Sequence, residues 1–320
     1  MRRLAVILVA LVALAAWLAS PLPVDEYASH PHPATGYAAA LRLVDSLRAD
    51  DSPAVAPECA TRLLAHGGPT PRVIVLFHGL TNCPAQFDSL ARMSFARGAN
   101  VLIPRLPHHG FANRMTDELA RTDARELVRF TDRVLDAAHG LGDSVTVAGL
   151  SVGGTLAAWA AGERRDVDRA VLIAPMLGVA RARGGWTPVV TRLAGGMPNV
   201  FVWWDDRLRQ HLRGPRHVYP RFATRAVAAT LRLGARPLRR SSQGPPACRS
   251  VVMVTVGGDV AVDNGLCAAL VRGWRSHGGR DVTTFEFPAT LDLNHDIVDP
   301  EQIGGNPAIT YPVLTRLIGP

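Results

Sequence analysis

Six short runs of apolar residues recur along the chain, and each is separated from the next by a stretch with helical periodicity. The runs lie at 73–77, 100–104, 144–148, 170–175, 251–256 and 282–287. Strands that are apolar throughout are buried on both faces, and strands that alternate with helices pair in parallel. We therefore expect an α/β fold with a mostly parallel, doubly wound sheet covered by helices on both sides.

The segment 176–246 interrupts this alternation after the strand at 170–175. An insertion there would lie over the carboxyl ends of the strands, where α/β sheets bind ligands, so we predict a helical cap. The segment carries Trp186, Trp203 and Trp204. These side chains predict either an apolar surface for acyl chains or membranes or, more commonly, the interior of the cap.

The chain begins with two arginines and an uninterrupted apolar run from Leu4 to Ala19. A charged start followed by such a run is typical of an export signal, and its length is at the short end for a spanning helix. Residues 1–20 therefore predict a cleaved signal peptide or an uncleaved membrane anchor, with the rest of the chain exported in either case. Residues 21–36 predict a linker, and residues 37–320 predict one domain that includes the cap.

The predicted export of the chain affects how its four cysteines are interpreted. They are Cys59, Cys83, Cys248 and Cys267. Outside the cytosol an even number favours disulfides. Three pairings are open, and we favour Cys59–Cys83 with Cys248–Cys267 because each pair brackets one stretch that contains a strand. A zinc site is disfavoured, since no two cysteines have close CxxC spacing.

The formal net charge is +8, and every one of the 35 basic residues is arginine. Thirteen arginines lie between positions 181 and 240, against two aspartates. Such a segment fits an anionic surface or, as we favour, a solvated helical face. No DNA- or RNA-binding signature is present, so we expect no nucleic-acid partner.

A Gly-Leu-Ser-Val-Gly sequence at 149–153 stands between the third apolar run and a small-residue helix. Acyl transfer needs an exposed serine oxygen on a turn so tight that its neighbours must lack bulk, and the following helix directs its first amides at the oxyanion. The pattern predicts Ser151 as a nucleophile. A glycine-rich turn with a capping serine is the alternative interpretation.

A serine hydroxyl is a poor nucleophile without a base, and an acid and a histidine should follow in that order. His295, just past the last run, fits the base. Asp259 follows the fifth run and two glycines, and we favour it as the acid that holds the imidazole. Asp263 is the main alternative. Asp292 and Asp296 are less favoured, the latter because it adjoins the histidine.

Two backbone N–H groups should stabilise the oxyanion. One is expected from Val152, directly after the nucleophile, and the other from Leu80, in the turn that follows the first run. His108 and His109 lie in the loop after the second run, where we expect them to have a structural role.

These elements resemble the α/β-hydrolase superfamily, and more narrowly its carboxylesterase and monoacylglycerol lipase (lysophospholipase)-like branch. The likeness covers residues 55–320 and rests on motifs at 78–80, 104–110, 149–153, 259–262 and 295–300. The resemblance implies an α/β-hydrolase fold and a serine hydrolase that cleaves carboxylic esters through an acyl-enzyme on Ser151. It implies no cofactor and no metal.

The cap and the loop at 104–110 depart from the family's pattern, so the resemblance supports a mechanism better than a substrate. We expect a small-molecule ester, with a lipid-like one favoured by the cap and the N-terminal segment, which also predicts membrane association. A serine aminopeptidase or amidase on the same fold is the alternative. A non-catalytic binding protein is less favoured, because both Ser151 and His295 are present.

Overall fold

The computed structural model describes residues 2–182, 185–210, 212 and 214–319. The strands in this part of the chain are β1 (Arg62–Leu64), β2 (Val73–Phe77), β3 (Asn100–Ile103), β4 (Val145–Leu150), β5 (Arg169–Ile173), β6 (Phe201–Trp203), β7 (Arg221–Ala223), β8 (Ser250–Val256) and β9 (Val282–Phe287). The helices are α1 (Arg2–Ala19), α2 (Tyr37–Ala49), α3 (Asp88–Ala96), α4 (Ala124–Ala138), α5 (Val152–Glu163), α6 (Thr187–Gly196), α7 (Thr224–Ser241), α8 (Asn264–Ser276) and α9 (Pro307–Ile318).

The central sheet has seven strands in the order β1-β3-β2-β4-β5-β8-β9. Only the edge strand β1 is antiparallel to its neighbour, and the other six described strands of this sheet pair in parallel. The predicted mostly parallel sheet is therefore confirmed. β1 was not predicted because its three residues are only half-buried and carry no apolar run.

The strand order changes direction between β2 and β4, because β3 lies on one side of β2 and the chain then returns to the other side. At such a switch point the loops at the carboxyl ends of two neighbouring strands diverge and leave a crevice. Every residue of β2 and β4 is buried, so these strands fix the position of the loops that follow them. The candidate nucleophile and one candidate oxyanion amide both lie in these loops.

The inserted segment between β5 and β8 contains α6, the two-stranded sheet of β6 and β7, and α7. Helix α7 packs against α5 and α8 and buries Leu231 and Leu233, so it belongs to the helical layer of the domain. The part of the insertion that precedes α7 contacts the loop after β2, where the Tyr219 amide donates to the Thr81 carbonyl at 2.7 Å. The limits of the cap, 176–246, stay a prediction.

The segment predicted to be a linker, 21–36, packs onto the domain. Val24 and Tyr27 are buried, and the Trp159 indole N–H donates to the Tyr27 carbonyl at 2.7 Å. The Ser29 hydroxyl donates to the Asp132 carboxylate at 2.5 Å. These contacts make the segment part of the folded body, whereas its polar and proline-rich composition suggested a connection without tertiary contacts.

Helix α1 is held beside the insertion by one side chain of α6. The Arg192 guanidinium donates to the carbonyls of Leu18 and Ser20 at 2.9 and 2.7 Å and lies 5.2 Å from the centre of the Trp17 ring. Most of the apolar side chains of α1 are exposed. No helix among the described residues meets the length and hydropathy needed to traverse a bilayer.

The cysteines follow only half of the predicted pairing. Cys59 and Cys83 form a disulfide with Cα atoms 5.2 Å apart, as predicted. Cys248 and Cys267 are buried thiols, so the second predicted pair is wrong. The seven residues of β8 lie between them and span about 23 Å, whereas a disulfide joins Cα atoms within about 7 Å. Bracketing one strand thus places two cysteines at its opposite ends.

Candidate active site

Ser151 lies on the sharp turn between β4 and α5, with φ of 58° and ψ of −111°. A non-glycine residue in the left-handed region is strained, and a serine held in this way at a strand–helix junction is the arrangement of a nucleophile elbow. The turn is fixed by the Ser151 amide, which donates to the Ile173 carbonyl at 3.0 Å. Ser151 is only 5% exposed.

The two glycines of the motif are required by close packing. A Cβ at Gly153 would lie 1.9 Å from the Phe77 carbonyl oxygen, and one at Gly149 would lie 2.3 Å from the Gly153 carbonyl. The elbow therefore sits directly on the end of β2. A side chain at Gly153 would force the turn away from the end of β2, and one at Gly149 would clash within the turn itself.

Asp259 and His295 are brought together, as predicted for an acid and a base. Asp259 Oδ2 and His295 Nδ1 are 2.6 Å apart, and Asp259 Oδ1 accepts the amides of Ala261 and Val262 at 2.7 and 3.2 Å. Burial raises the pKa of the Asp259 carboxyl, but the bonds from His295 and the two amides outweigh it and hold this pKa below its ordinary value. The acid is thus ionised and fully buried next to the imidazole.

The other nitrogen of His295, Nε2, is buried and has no hydrogen-bond partner among the described residues. Because an ionised carboxylate only accepts, the proton of a neutral imidazole resides on Nδ1 and leaves a lone pair on Nε2. No hydrogen bond joins this nitrogen to Ser151 in the described part of the chain. The ring is therefore in the tautomer that a general base needs, with its accepting atom unoccupied.

The alternative acids are engaged elsewhere. Asp263 Oδ1 accepts the Gly265 amide at 2.8 Å and caps the start of α8. Asp292 is exposed, at φ of 48°. The Asp296 carboxylate points to Gln86, with Oδ2 and the Gln86 Nε2 atom 2.7 Å apart. Of the four aspartates considered, only Asp259 has a hydrogen bond to the imidazole.

The two candidate oxyanion amides lie at the crevice between β2 and β4. Val152 is the first residue of α5, where an N–H has no acceptor within the helix. Leu80 is buried in the turn after β2. Neither amide donates to a carbonyl of the described turns and loops. Both N–H groups are consequently available to an incoming oxygen.

A pair of buried histidines supports the turn that carries Leu80. His78 Nδ1 donates to the Gly79 carbonyl at 2.9 Å, and its Nε2 accepts the Leu106 amide at 3.1 Å. His109 lies edge-on to His78, with ring centres 5.2 Å apart. Burial lowers the pKa of His78 well below its ordinary value and lowers that of His109 to about 4. Both rings are neutral and join the turns that follow β2 and β3.

His108 is placed differently, between two carboxylates. Its φ is 67°, and its Nδ1 and Nε2 atoms lie 3.0 Å from the carboxylates of Glu118 and Glu126. The bond to Glu126, more than the one to Glu118, raises the pKa of His108 against the opposing effect of burial. A ring with acceptors on both nitrogens is stable only as an imidazolium, so His108 ties the loop after β3 to α4 by charge.

The inserted segment contacts the site through residues 217–219. His217 Nε2 is 2.8 Å from Oδ2 of Asp299, which lies in the loop that follows His295. The Tyr219 amide donates to the Thr81 carbonyl at 2.7 Å, next to the oxyanion turn. Sequence reasoning missed these contacts, since nothing local to the histidine or the tyrosine marks them.

The three tryptophans of the insertion were predicted to form either an exposed apolar surface or the interior of the cap, and they differ in their surroundings. Trp204 donates its indole N–H to the Tyr219 carbonyl at 2.8 Å, inside the insertion. Trp203 lies under Arg209, whose guanidinium carbon is 5.9 Å from the ring centre. Trp186 is 62% exposed, so it alone of the three presents most of its surface to solvent.

Comparison with known proteins agrees with the observed fold. No curated protein matches the chain. Among solved structures, a metagenome-derived lipolytic enzyme is 19% identical, with 76% of this chain and 94% of that chain covered and a TM-score of 0.56. The monoacylglycerol lipase of Paleococcus ferrophilus is 16% identical, with 81% and 97% covered and a TM-score of 0.60. A soluble variant of the monoglyceride lipase of Saccharomyces cerevisiae is 13% identical, with 81% and 91% covered and a TM-score of 0.61.

At these identities the solved structures establish a shared fold. The model of the alpha/beta hydrolase family matches residues 74–290, which include the nucleophile elbow, Asp259 and the whole insertion. That range covers more than half of the chain and all but the edge strand of the central sheet. The chain belongs to the alpha/beta hydrolase family.

Proposed function

We propose that this protein is a serine hydrolase that cleaves carboxylic esters through an acyl-enzyme on Ser151. The observation that carries the proposal is the state of His295: Nδ1 is 2.6 Å from the Asp259 carboxylate, while Nε2 is buried and has no partner among the described residues. An isolated buried nitrogen of this kind is costly unless a transient partner uses it. The serine hydroxyl of an elbow is such a partner.

In this mechanism Ser151 Oγ attacks the ester carbonyl while His295 Nε2 takes its proton. The amides of Leu80 and Val152 donate to the oxygen that becomes negative, and Asp259 stabilises the imidazolium. The imidazolium then returns the proton to the departing alcohol, which leaves the acyl group on Ser151. Water, deprotonated by the same nitrogen, releases the acid and restores the free serine.

Labelling by a fluorophosphonate probe tests the nucleophile. We expect the purified wild-type protein to be labelled once, and the Ser151→Ala variant to remain folded and unlabelled. Ser242→Ala, which removes an exposed hydroxyl at the end of α7, is the matched control and should be labelled as the wild type is. Labelling of Ser151→Ala at the wild-type rate would show that another residue is the nucleophile.

Ester chemistry is favoured over amide chemistry by the solved neighbours, which are described as lipolytic enzymes and monoacylglycerol lipases. The alternative, a serine aminopeptidase or amidase, uses the same triad on the same fold. Turnover of 4-nitrophenyl esters and of aminoacyl 4-nitroanilides by one preparation separates the two. Because activated esters acylate serine hydrolases faster than anilides do, the anilides decide between the two: we expect no measurable anilide turnover, and efficient hydrolysis of an aminoacyl 4-nitroanilide would overturn the choice.

We further propose that the substrate is a lipid-like ester and that the protein is located at a membrane. The insertion exposes Trp186, Met197 and Val200 at 62%, 58% and 57%, and α1 adds an exposed apolar surface beside it. Apolar patches of this kind are typical of membrane or lipid contact. The Cys59–Cys83 disulfide favours an oxidising compartment, which supports export.

A series of 4-nitrophenyl esters from acetate to laurate, with and without phospholipid vesicles, tests this further proposal. We expect kcat/KM to rise with acyl length and vesicles to bind the full chain more than a chain lacking residues 1–20. Activity that is indifferent to both variables would contradict it.

A further inference from the structure

One carboxylate joins the loop of His295 to the oxyanion turn. Asp296 Oδ1 accepts the amides of Val298 and Asp299 at 3.1 and 3.0 Å, which shapes the loop directly after the histidine. Asp296 Oδ2 accepts from Gln86 Nε2 at 2.7 Å and from Asn82 Nδ2 at 3.3 Å, both on the segment after β2. The side chain thus has two different loops bound to its two oxygens.

Gln86 passes this connection to the backbone that carries Leu80. Its Oε1 accepts the Gly79 amide at 2.8 Å, and the residue is 2% exposed. The Gly79 carbonyl is held on the other side by His78. Since the Leu80 N–H belongs to the peptide unit that begins at this carbonyl, Gln86 and His78 together set where that N–H points.

The hydrogen bonds that link Asp296, Gln86 and the Gly79 amide all donate in one direction, from Gly79 to Gln86 and from Gln86 to Asp296. The Gly79 amide can only donate, both Asp296 oxygens accept N–H groups from their neighbours, and the Gln86 amide has one acceptor and one donor. Only one orientation of the Gln86 amide satisfies both neighbours. Asp296 therefore decides which end of Gln86 faces the oxyanion turn, although it has no hydrogen bond to Leu80 or to the imidazole in the described structure.

We propose that Asp296 and Gln86 are positioning residues that set the Leu80 amide relative to the His295 loop for oxyanion stabilisation. The inference rests on the proposed function, because an oxyanion amide matters only if Ser151 forms a tetrahedral adduct. A purely structural role for the pair would alter the stability of the protein without a selective effect on kcat.

The first test is Asp296→Asn. The asparagine oxygen can still accept the Val298 and Asp299 amides, but its NH₂ group faces Gln86 Nε2. Gln86 can avoid two opposed donors only by rotating its amide, which turns Nε2 toward the Gly79 amide. Because loss of one oxyanion donor costs about 10² to 10³ in kcat and this change displaces a donor, we expect kcat to fall by about 10- to 100-fold, with KM within about twofold.

Asp292→Asn is the matched control. It makes the same chemical change on an exposed carboxylate in the stretch that leads to His295. We expect its kcat to equal that of the wild type. A trifluoromethyl ketone, which forms an oxyanion adduct on serine, should bind Asp296→Asn more weakly by the same factor as kcat falls.

The reciprocal exchange supplies a rescue. Gln86→Glu alone sets two carboxylates against each other and should also lower kcat. In the Gln86→Glu, Asp296→Asn double variant, the carboxylate introduced at position 86 accepts from both the Gly79 amide and the introduced asparagine side chain. Every donor in this series of hydrogen bonds then faces an acceptor again. We expect the double variant to regain at least about tenfold in kcat over Asp296→Asn.

The outcomes separate the two proposals. If the wild type hydrolyses esters and Asp296→Asn keeps kcat within about twofold, or the double variant recovers thermal stability but not kcat, the positioning role is wrong. If Asp296→Asn does not fold, Gln86→Met, which leaves the Asp296 loop bonds intact, must show the kcat loss. A wild type that is neither labelled nor active on any ester would remove the proposed function, and this inference with it.

Discussion

The role proposed for Asp259 as the acid of a triad can be tested by a minimal change, Asp259→Asn. In the native protein Asp259 Oδ1 accepts two backbone amides and Oδ2 is bonded to His295 Nδ1. The two amides can be satisfied only by an oxygen, so the asparagine oxygen stays at the Oδ1 position. Its NH₂ group then faces Nδ1, which must become an acceptor. The imidazole proton moves to Nε2, and that nitrogen can no longer take the proton of Ser151.

The size of the effect follows from this tautomer change. General-base catalysis contributes about 10²- to 10⁴-fold, and the wrong tautomer in a serine–histidine–aspartate triad costs about 10⁴. We expect kcat to fall by about 10³ to 10⁴, which is about 4 to 5.5 kcal/mol of transition-state stabilisation. The free energy of unfolding should fall by only about 1.5 to 3 kcal/mol, the contribution of one charged hydrogen bond, because the loop bonds to the Asp259 side chain persist.

The assay is kcat and KM for 4-nitrophenyl butyrate, with urea unfolding measured on the same preparations. Asp263→Asn is the control, because its oxygen can keep the Gly265 amide and cap α8 as before. We expect that control to retain kcat within about twofold. If Asp259→Asn keeps more than about a tenth of the wild-type kcat, or the control is equally inactive, the acid has been assigned to the wrong residue.

Three further predictions concern the frame of the site. Gly153→Ala should destabilise the fold by about 3 kcal/mol or more in urea unfolding, because its methyl group would lie 1.9 Å from the Phe77 carbonyl; a fully stable variant would refute the close packing. Replacing Cys59 and Cys83 by serine should remove about 3 kcal/mol, measured in the same way, and an unchanged midpoint would contradict this. The His108 imidazolium has a raised pKa, so its stabilising effect is fully present below about pH 6.5 and is lost as the pH rises through that raised value. His108→Gln should abolish this part of the pH dependence of unfolding, and an unaltered profile would show that the two glutamates do not clamp the loop.

Much of the fold was predictable because its signals are local and repeated. Each buried strand is visible in the sequence as an apolar run, and the regular alternation of strands with helices predicts parallel pairing. The sharp turn at Ser151 could also be predicted from the sequence, because the close contacts around it leave no space for a side chain at Gly149 or Gly153. His295 and Asp259 could be chosen from their order along the chain, because loops at the carboxyl ends of parallel strands meet at one edge of the sheet.

The misses share a physical cause, which is that they depend on distances between elements. The predicted pairing of Cys248 with Cys267 is wrong because the two residues lie at opposite ends of β8, a separation that a disulfide does not span. The composition of the segment 21–36 predicts a linker because the few apolar side chains that it buries, such as Val24 and Tyr27, lie among polar residues and prolines. Gln86 and Asp296 are 210 positions apart, and no pattern in either neighbourhood points to the other.

The loops of the site nevertheless obey a rule that the sequence does contain. Loop amides cannot use the hydrogen bonds of helices or sheets, so side-chain oxygens accept them instead. Asp259 accepts the amides two and three positions ahead, and Asp296 does the same in the histidine loop. In each case this local bond consumes one carboxylate oxygen and aims the other across the site, toward His295 in the first loop and toward Gln86 in the second. The same local bond at Asp123, whose Oδ1 accepts the amides of Arg125 and Glu126, only caps α4. The local bond is therefore a signal that the sequence contains, whereas the long-range partner of the second oxygen is what only the fold reveals.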